Sequence, residues 1–299
     1  MNRIKTQSNG KGLAKNYNIA ICSIVRDCST NLKKNIPIIE EIRSYFKSSV
    51  VIVFENDSTD DTKETLKGWR QNSSNTYIEC VNYKTNTIPN FNQTGVNKYF
   101  SSDRISKMVE YRNNYLDKLQ HIDFNPDFVM IVDLDVSKIY LEGIFHSFGI
   151  VEQWDVVCAN GYSLSPKLTK RYHDSYALVE LYKESIPQSE ISIRENAYKW
   201  GFLKKGMPLM PVYSAYGGLA IYRFDAIESL TYRIIQNNNP EVEVRCEHFA
   251  FCQDIRNRGF QRIFINPDLK VKYQSVNIHL IVKYIKSYLS HKFKLNNLQ

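Results

Sequence analysis

The chain reads as an α/β protein: a mostly parallel, Rossmann-like sheet flanked by helices, with a less regular second half. Three observations lead there. Through residues 17–136, short β-branched runs alternate with segments whose apolar residues recur at helical spacing. One of these runs, Val129-Met-Ile-Val132, is apolar throughout, as a strand buried on both faces must be. Three of the runs end in polar clusters: Arg26-Asp27, Glu55 to Asp61, and Asp133 with Asp135. Ligands of open parallel sheets bind beyond the carboxyl ends of the strands, so three clusters in register at that edge mark a site.

Residues 1–16 hold Arg3, Lys5, Lys11 and Lys15 among Asn, Ser and Gly, with no acid, and are expected to form a disordered basic leader. A first strand spans residues 18–25. Ile38, Ile39, Ile42, Tyr45 and Phe46 then share a helical face, and Val50 to Phe54 is a second strand. After Glu55-Asn-Asp-Ser-Thr-Asp-Asp-Thr62 a helix begins through Leu66 and Trp69, and Thr76 to Val81 is a third strand. Residues 82–102 are polar and read as a mobile loop beside the site. Arg104 to Leu119 is helical, and the fourth strand is the run ending at Asp133. Beyond it the pattern loosens. Trp154 to Ala159 reads as a strand, residues 190–216 as irregular, and Tyr216-Gly-Gly218 as a turn into another strand. Cys246 to Asn257 reads as a helix stopped by Gly259, and Arg262 to Ile265 as a last short strand.

The formal charge of +8 sits in the ends. Ten cations in residues 1–16 and 269–299 face no acid there, so the body holds 29 basic against 31 acidic residues. A nucleic-acid partner is excluded by that balance. Six cysteines show no zinc-type spacing, and no stretch has the length of a membrane span or the form of a signal peptide. A reducing, cytoplasmic location is expected. In residues 278–293, Ile278, Ile281, Val282, Ile285 and Leu289 form a stripe flanked by lysines. Residues 269–299 are accordingly expected to end in a basic amphipathic helix able to lie peripherally on an anionic membrane.

Asp133 and Asp135 are spaced i, i+2 and fall on one face, where repulsion and desolvation call for a cation such as Mn²⁺ or Mg²⁺ carrying phosphates. Glu55 and Asp57 precede the following helix and would overhang the sheet edge, where a carboxylate can accept from a base or ribose. The turn after the first strand, Arg26-Asp-Cys-Ser-Thr-Asn31, lacks the glycines of a nicotinamide or S-adenosylmethionine site, and no Gly-Lys-Ser/Thr follows a strand.

Ile-Cys-Ser-Ile-Val-Arg-Asp27, Phe-Glu-Asn-Asp-Ser-Thr-Asp-Asp-Thr62, the Arg104…Arg112-Asn113 helix and Asp133-Leu-Asp135 together resemble a GT-A-type glycosyltransferase. The group most resembled is the capsule-associated mannosyltransferase-like one with its viral and bacterial relatives. The resemblance covers residues 18–136 well and runs more loosely to 266. It implies a GT-A-like fold and a metal-dependent transfer of sugar from a GDP- or UDP-sugar to a glycan or lipid-linked glycan hydroxyl. It further implies one catalytic domain over 17–268, with a nucleotide-binding half at 17–136 and an acceptor half at 137–268. Asp135 would bind metal, Asp133 metal-bound water or ribose, and Glu55 the base or ribose. Arg26, Asp57 and Arg112 would frame the donor. The commoner Asp-Asp-Gly-Ser pattern of the superfamily is here Glu-Asn-Asp-Ser, which leaves the nucleobase open. Glu247, at a late helix start, is the candidate catalytic base, and Asp174, between Tyr172 and Tyr176, a second candidate catalytic-site residue that could bind sugar hydroxyls. His248 is a candidate further metal ligand. A sugar nucleotidyltransferase or a non-catalytic glycan-binding relative is the alternative.

Overall fold

The alternation of apolar runs and helical stripes folds into one mixed sheet between helical layers. The computed structural model describes residues 3–86, 88, 97–165, 167–274, 281, 282, 284–286 and 288. Helix α1 (Arg3–Ala14) precedes β1 (Asn18–Val25), α2 (Ser29–Arg43), β2 (Ser48–Asn56), α3 (Thr62–Asn72) and β3 (Thr76–Val81). Then follow α4 (Ser102–His121), β4 (Phe128–Val132), β5 (Lys138–Ile139) and α5 (Leu141–Phe148). The second half holds β6 (Val156–Leu164), β7 (Lys170–Tyr172), α6 (Glu190–Lys199), β8 (Met210–Pro211), β9 (Leu219–Arg223), α7 (Phe224–Ile227), α8 (Glu247–Asn257) and β10 (Ile263–Lys272).

The main path of the sheet runs β3-β2-β1-β4-β9-β6-β10-β5, with β7 on β6 and β8 on β10. Strands β3, β2, β1 and β4 are parallel, as are β6 and β10; β9 runs against both of its neighbours, β4 and β6. Core residues alternate between the two faces of the sheet. Ala20, Cys22, Val50 and Ile52 pack toward α4 and α8, while Ile19, Ile21, Val51 and Val53 pack toward α2, α3 and α5. The sheet is therefore covered on both sides, which is why the β4 run is apolar without alternation.

The structure corrects the reading of the leader: residues 3–14 are helical and docked. One of its two glycines, Gly10, marks a close packing contact, while Gly12 faces open space. A Cβ on Gly10 would strike the Phe145 carbonyl, and one on Gly149 the Thr6 carbonyl, so α1 lies backbone to backbone on α5. Ala14 is fully buried, Arg3 pairs with buried Asp268, and the Lys11 ammonium lies 4.6 Å from the centre of the Tyr45 ring.

Other differences lie in the second half. Residues 190–199 form α6, begun by a capping box in which the side chains of Ser189 and Ser192 bond each other's backbone N–H. The last strand is more than twice the expected length, running on through Lys272, so residues 269–272 belong to the sheet and not to a C-terminal helix. Residues 281, 282, 284–286 and 288 are helical, and the remainder of the expected helix lies outside the described residues. Of the expected loop at 82–102, residues 87 and 89–96 lie outside them, and residue 102 already begins α4. No helix among the described residues is long and apolar enough to cross a membrane.

Replacing Gly10 by Val should undock α1 at a cost of about 1–3 kcal/mol, the range for overpacking a tight contact. Trypsin should then cut at Lys5 and Lys11 roughly ten times faster than in the unaltered protein. Unchanged cleavage would mean that α1 does not depend on this contact.

Candidate active site

Strand β4 ends at Val132, and the carbonyls of residues 134, 135 and 136 are held by side chains of α2. Asn35, fully buried, donates from Nδ2 to the carbonyls of Leu134 (3.0 Å) and Val136 (2.7 Å), and Asn31 donates to the carbonyl of Asp135 (2.5 Å). Two asparagines one helical turn apart thus clamp the loop that carries both aspartates. Asp133 donates its backbone N–H to Gly218 (2.9 Å), and its carboxylate accepts the hydroxyls of Tyr216 (2.7 Å) and Tyr273 (2.8 Å).

Both carboxylates face a cavity of about 490 Å³, within the usual range for small-molecule sites. Burial raises the pKa of Asp133 against the opposing effects of Arg112 and the two tyrosine hydroxyls. Asp135 is exposed to the cavity, but the depth of the cleft withdraws it from bulk water. That desolvation, followed by the charge of Asp133, pushes its pKa up to about 7. Two carboxylates in this condition are stabilised by a dication. Hard oxygen donors, one of them facing open space, suit Mg²⁺ or Mn²⁺, which commonly take one or two protein carboxylates and fill the rest of the shell with phosphate and water.

Arg112, Asp174, Glu247, His248 and Arg26 line the same cavity. Arg112 and Glu247 are both buried and form an ion pair at 2.8 Å, and the guanidinium lies 5.1 Å from the Tyr216 ring centre. Burial alone would raise the Glu247 pKa, yet the Arg112 charge outweighs it and holds the carboxyl well below its usual range. Removing one member of such a pair leaves a buried charge and costs about 3–5 kcal/mol. Asp174 is different. Its backbone is left-handed (φ 63), and its carboxylate accepts only a long hydrogen bond, 3.3 Å, from the Gly217 N–H. Burial first, then the charges of Asp133 and Glu247, push its pKa up to about 8.

Three expected roles meet a different geometry. Glu55 does not line the cavity: alternation along β2 sends it with Val51 and Val53 toward α3, where it is fully buried and accepts the Ser58 N–H (2.7 Å). The next residue, Asn56, reaches the cavity instead, on the side where Phe54 stacks on Tyr111 at 5.7 Å. Asp57 (φ 54) faces an adjoining cavity of about 360 Å³ that shares Arg26 with the first. Its carboxylate ties down the loop after β3, accepting the N–H of Lys84 (2.8 Å) and the Thr85 hydroxyl (3.2 Å). Burial opposes, but these bonds prevail and lower its pKa. His248 stacks on Tyr216 with ring centres 4.0 Å apart and lies 3.7 Å from Glu247. It is not drawn into one ligand set with the aspartates, since no group of three His, Cys, Asp or Glu side chains suited to a metal occurs among the described residues. Its ring is held neutral by burial and by Arg112.

Sequence reasoning missed Asn31, Asn35 and Tyr273. The asparagine pair at i, i+4 facing the acidic strand end was the available signal; Tyr273 gave none, because it follows a strand whose length was underestimated.

Comparison with solved structures finds distant likeness. A mannosyltransferase from Pyrobaculum calidifontis, in complex with GDP-Man and Mn²⁺, is 12% identical, covering 92% of this chain and 65% of its own, with a TM-score of 0.44. TarS 1-349 of S. aureus is 15% identical over 85% of this chain and 59% of its own, with a TM-score of 0.45. Glucosyl-3-phosphoglycerate synthase from Mycobacterium tuberculosis, in complex with Mn²⁺, UDP and phosphoglyceric acid, is 12% identical over 95% of this chain and 81% of its own, with a TM-score of 0.45. The chain thus spans under two thirds of the length of the first two. No curated protein matches it in sequence. The Cryptococcal mannosyltransferase 1 family matches residues 18–254, the whole of β1 through most of α8. With that match extending across both the clamped aspartates and the Arg112–Glu247 pair, the chain belongs to the Cryptococcal mannosyltransferase 1 family.

Proposed function

We propose that this protein is a metal-dependent glycosyltransferase that moves a sugar, mannose being the first to test, from a GDP- or UDP-sugar to the hydroxyl of a glycan or lipid-linked glycan. The observation that carries the reading is the pair of strand-end carboxylates, each with a raised pKa, facing one cavity together with a buried arginine. Family membership supports it. Asp135, with Asp133 beside it, would hold Mn²⁺ or Mg²⁺, which when bound neutralises a departing diphosphate. Arg26 and Asn56 flank the donor side of the cavity. Arg112 supplies fixed positive charge, and Glu247 anchors it.

The base that takes the proton of the acceptor hydroxyl must be ionised and basic at once. Glu247 is held ionised by Arg112, which makes it a weak base, so it serves to position that arginine. Asp174 keeps a carboxylate of raised pKa in the cavity, and the base role is assigned to it.

Three outcomes test these assignments. Protonation competes with a dication at Asp135, so Mn²⁺ affinity, measured by calorimetry, should rise about tenfold per pH unit up to about pH 7 and then level off. Asp135→Ala should abolish both binding and transfer while the far-ultraviolet spectrum stays unchanged; full activity in that variant would sink the metal assignment. A base of raised pKa works only when deprotonated, so transfer should increase with pH toward about 8. Asp174→Asn should lower kcat by about 10²–10⁴ and flatten the profile. A profile that survives the substitution would return the role to another group.

Peripheral membrane contact is the finer part of the proposal. Ile281, Val282, Ile285 and Tyr288 are exposed apolar side chains on the helical residues near the C-terminal end. Flotation with anionic liposomes should be lost in Ile281→Asp/Ile285→Asp; equal flotation would remove the membrane contact.

A further inference from the structure

Strands β5, β10, β6 and β7 meet at the corner of the sheet, and their register gathers lysines on one face. Lys138 pairs with Lys272 across β5 and β10, Lys272 with Tyr162 across β10 and β6, and Tyr162 with Tyr172 across β6 and β7. Residues two apart on a strand share a face, so Lys270, Lys170 and Tyr140 join them. The Tyr140 and Tyr162 hydroxyls are 3.1 Å apart and form the floor. Ammonium groups of Lys138 (4.9 Å), Lys205 (5.5 Å) and Lys270 (5.4 Å) lie over the Tyr140 ring, and those of Lys270 (4.8 Å) and Lys170 (5.5 Å) over the Tyr162 ring.

Among the described residues no carboxylate forms an ion pair with any of these lysines. The nearby Asp268 is fully buried and engaged by Arg3 and by the Gly206 N–H (2.8 Å). Like charges directly opposite across a ladder destabilise a sheet, and the ammoniums gathered here repel one another although each is attracted to a ring face. Half-buried Lys170 donates to the Leu203 carbonyl (2.5 Å), and burial, followed by the charges of Lys270 and Lys204, lowers its pKa to about 8. The arrangement has excess positive charge and phenol groups, and among the described residues its only nearby acid, Asp268, is already engaged by Arg3.

We propose that this face binds the phosphate of a phosphorylated glycan, the acceptor in the transfer reaction. A phosphate monoester carries about −1.5 to −2 charges and three acceptor oxygens, which suits several ammoniums around one point better than a single carboxylate does. Its position favours the acceptor over a separate ligand. Tyr273, whose hydroxyl holds Asp133, donates its backbone N–H to Tyr162 (3.0 Å), and its ring stacks on His173 of the cavity wall. The strands that carry the lysines therefore also lead into Tyr273 and His173 of the cavity lining, and Asp174 follows His173 in the chain.

The word acceptor rests on the transferase reading, but anion binding is measurable without transfer. Mannose 6-phosphate should bind the full-length, metal-free protein at least tenfold more tightly than mannose does, as read by calorimetry. Lys138→Gln/Lys205→Gln, both surface residues whose loss relieves repulsion, should weaken that binding at least fivefold and leave GDP and UDP binding unchanged. Lys170→Gln/Lys270→Gln should act likewise, with melting temperature as the check on folding. Binding that ignores both pairs of lysines, or that is lost in Asp135→Asn instead, would overturn the proposal. So would lysine-dependent capture by phosphatidate vesicles that mannose 6-phosphate fails to compete away, since the anion would then be a lipid headgroup.

Discussion

Repulsion between Asp133 and Asp135 is the constraint on which the rest of the site depends. Strand β4 is buried on both faces and delivers two carboxylates into a cleft where ionisation is disfavoured. Left alone, such a pair would splay apart or protonate. Here the loop is restrained, because Asn31 and Asn35 hold its carbonyls. Asp133 is stabilised by two phenol hydroxyls and by the nearby Arg112 charge. Asp135 is left facing the cavity with desolvation and the charge of Asp133 outweighing the relief from Arg112, and a site that holds unfavourable charge in place is prepared for a cation.

Arg112 links this arrangement to the second half of the chain. It projects from α4, pairs with Glu247 at the first turn of α8, and lies against Tyr216, which reaches back to Asp133. Reversed strand β9 makes the link possible. Running antiparallel between β4 and β6, it starts at the strand-end edge, so the Tyr216-Gly217-Gly218 turn sits beside Asp133. Gly217 (φ 68) and Gly218 (φ 84) adopt left-handed conformations there, and a Cβ on Gly218 would strike the Tyr273 ring.

Legibility in the sequence followed the range of the interactions. Strands β1 to β4 and helices α2 to α4 were readable because periodicity is local. Asp133 and Asp135 at the end of β4 and Glu247 at the start of α8 stood out because they sit at element ends, whereas Arg112, in the middle of α4, was marked by the family resemblance alone. Glu55 was misjudged because parity near a strand end decides which of two adjacent polar residues faces the cleft, and Asn56 won. Helix α1 was misread because glycine signals looseness by composition but close approach in contact with α5. Tyr273 and the lysine face were invisible because they depend on which strands become neighbours in the sheet, a long-range fact without local trace.

The register of β10 ties these features together. Asn266 pairs with Ala159 and Lys270 with Asn160, so Pro267, Asp268 and Leu269 form a bulge in the strand with no counterpart on β6. Three is an odd number, and an odd excursion inverts the in–out parity of everything downstream. Leu269 and Val271 thereby enter the core, Lys270 and Lys272 turn to the tyrosine floor, and Tyr273 arrives at Asp133. An insertion or deletion of one residue here would exchange every one of those assignments together, so this short excursion can drift in side chain but not in length.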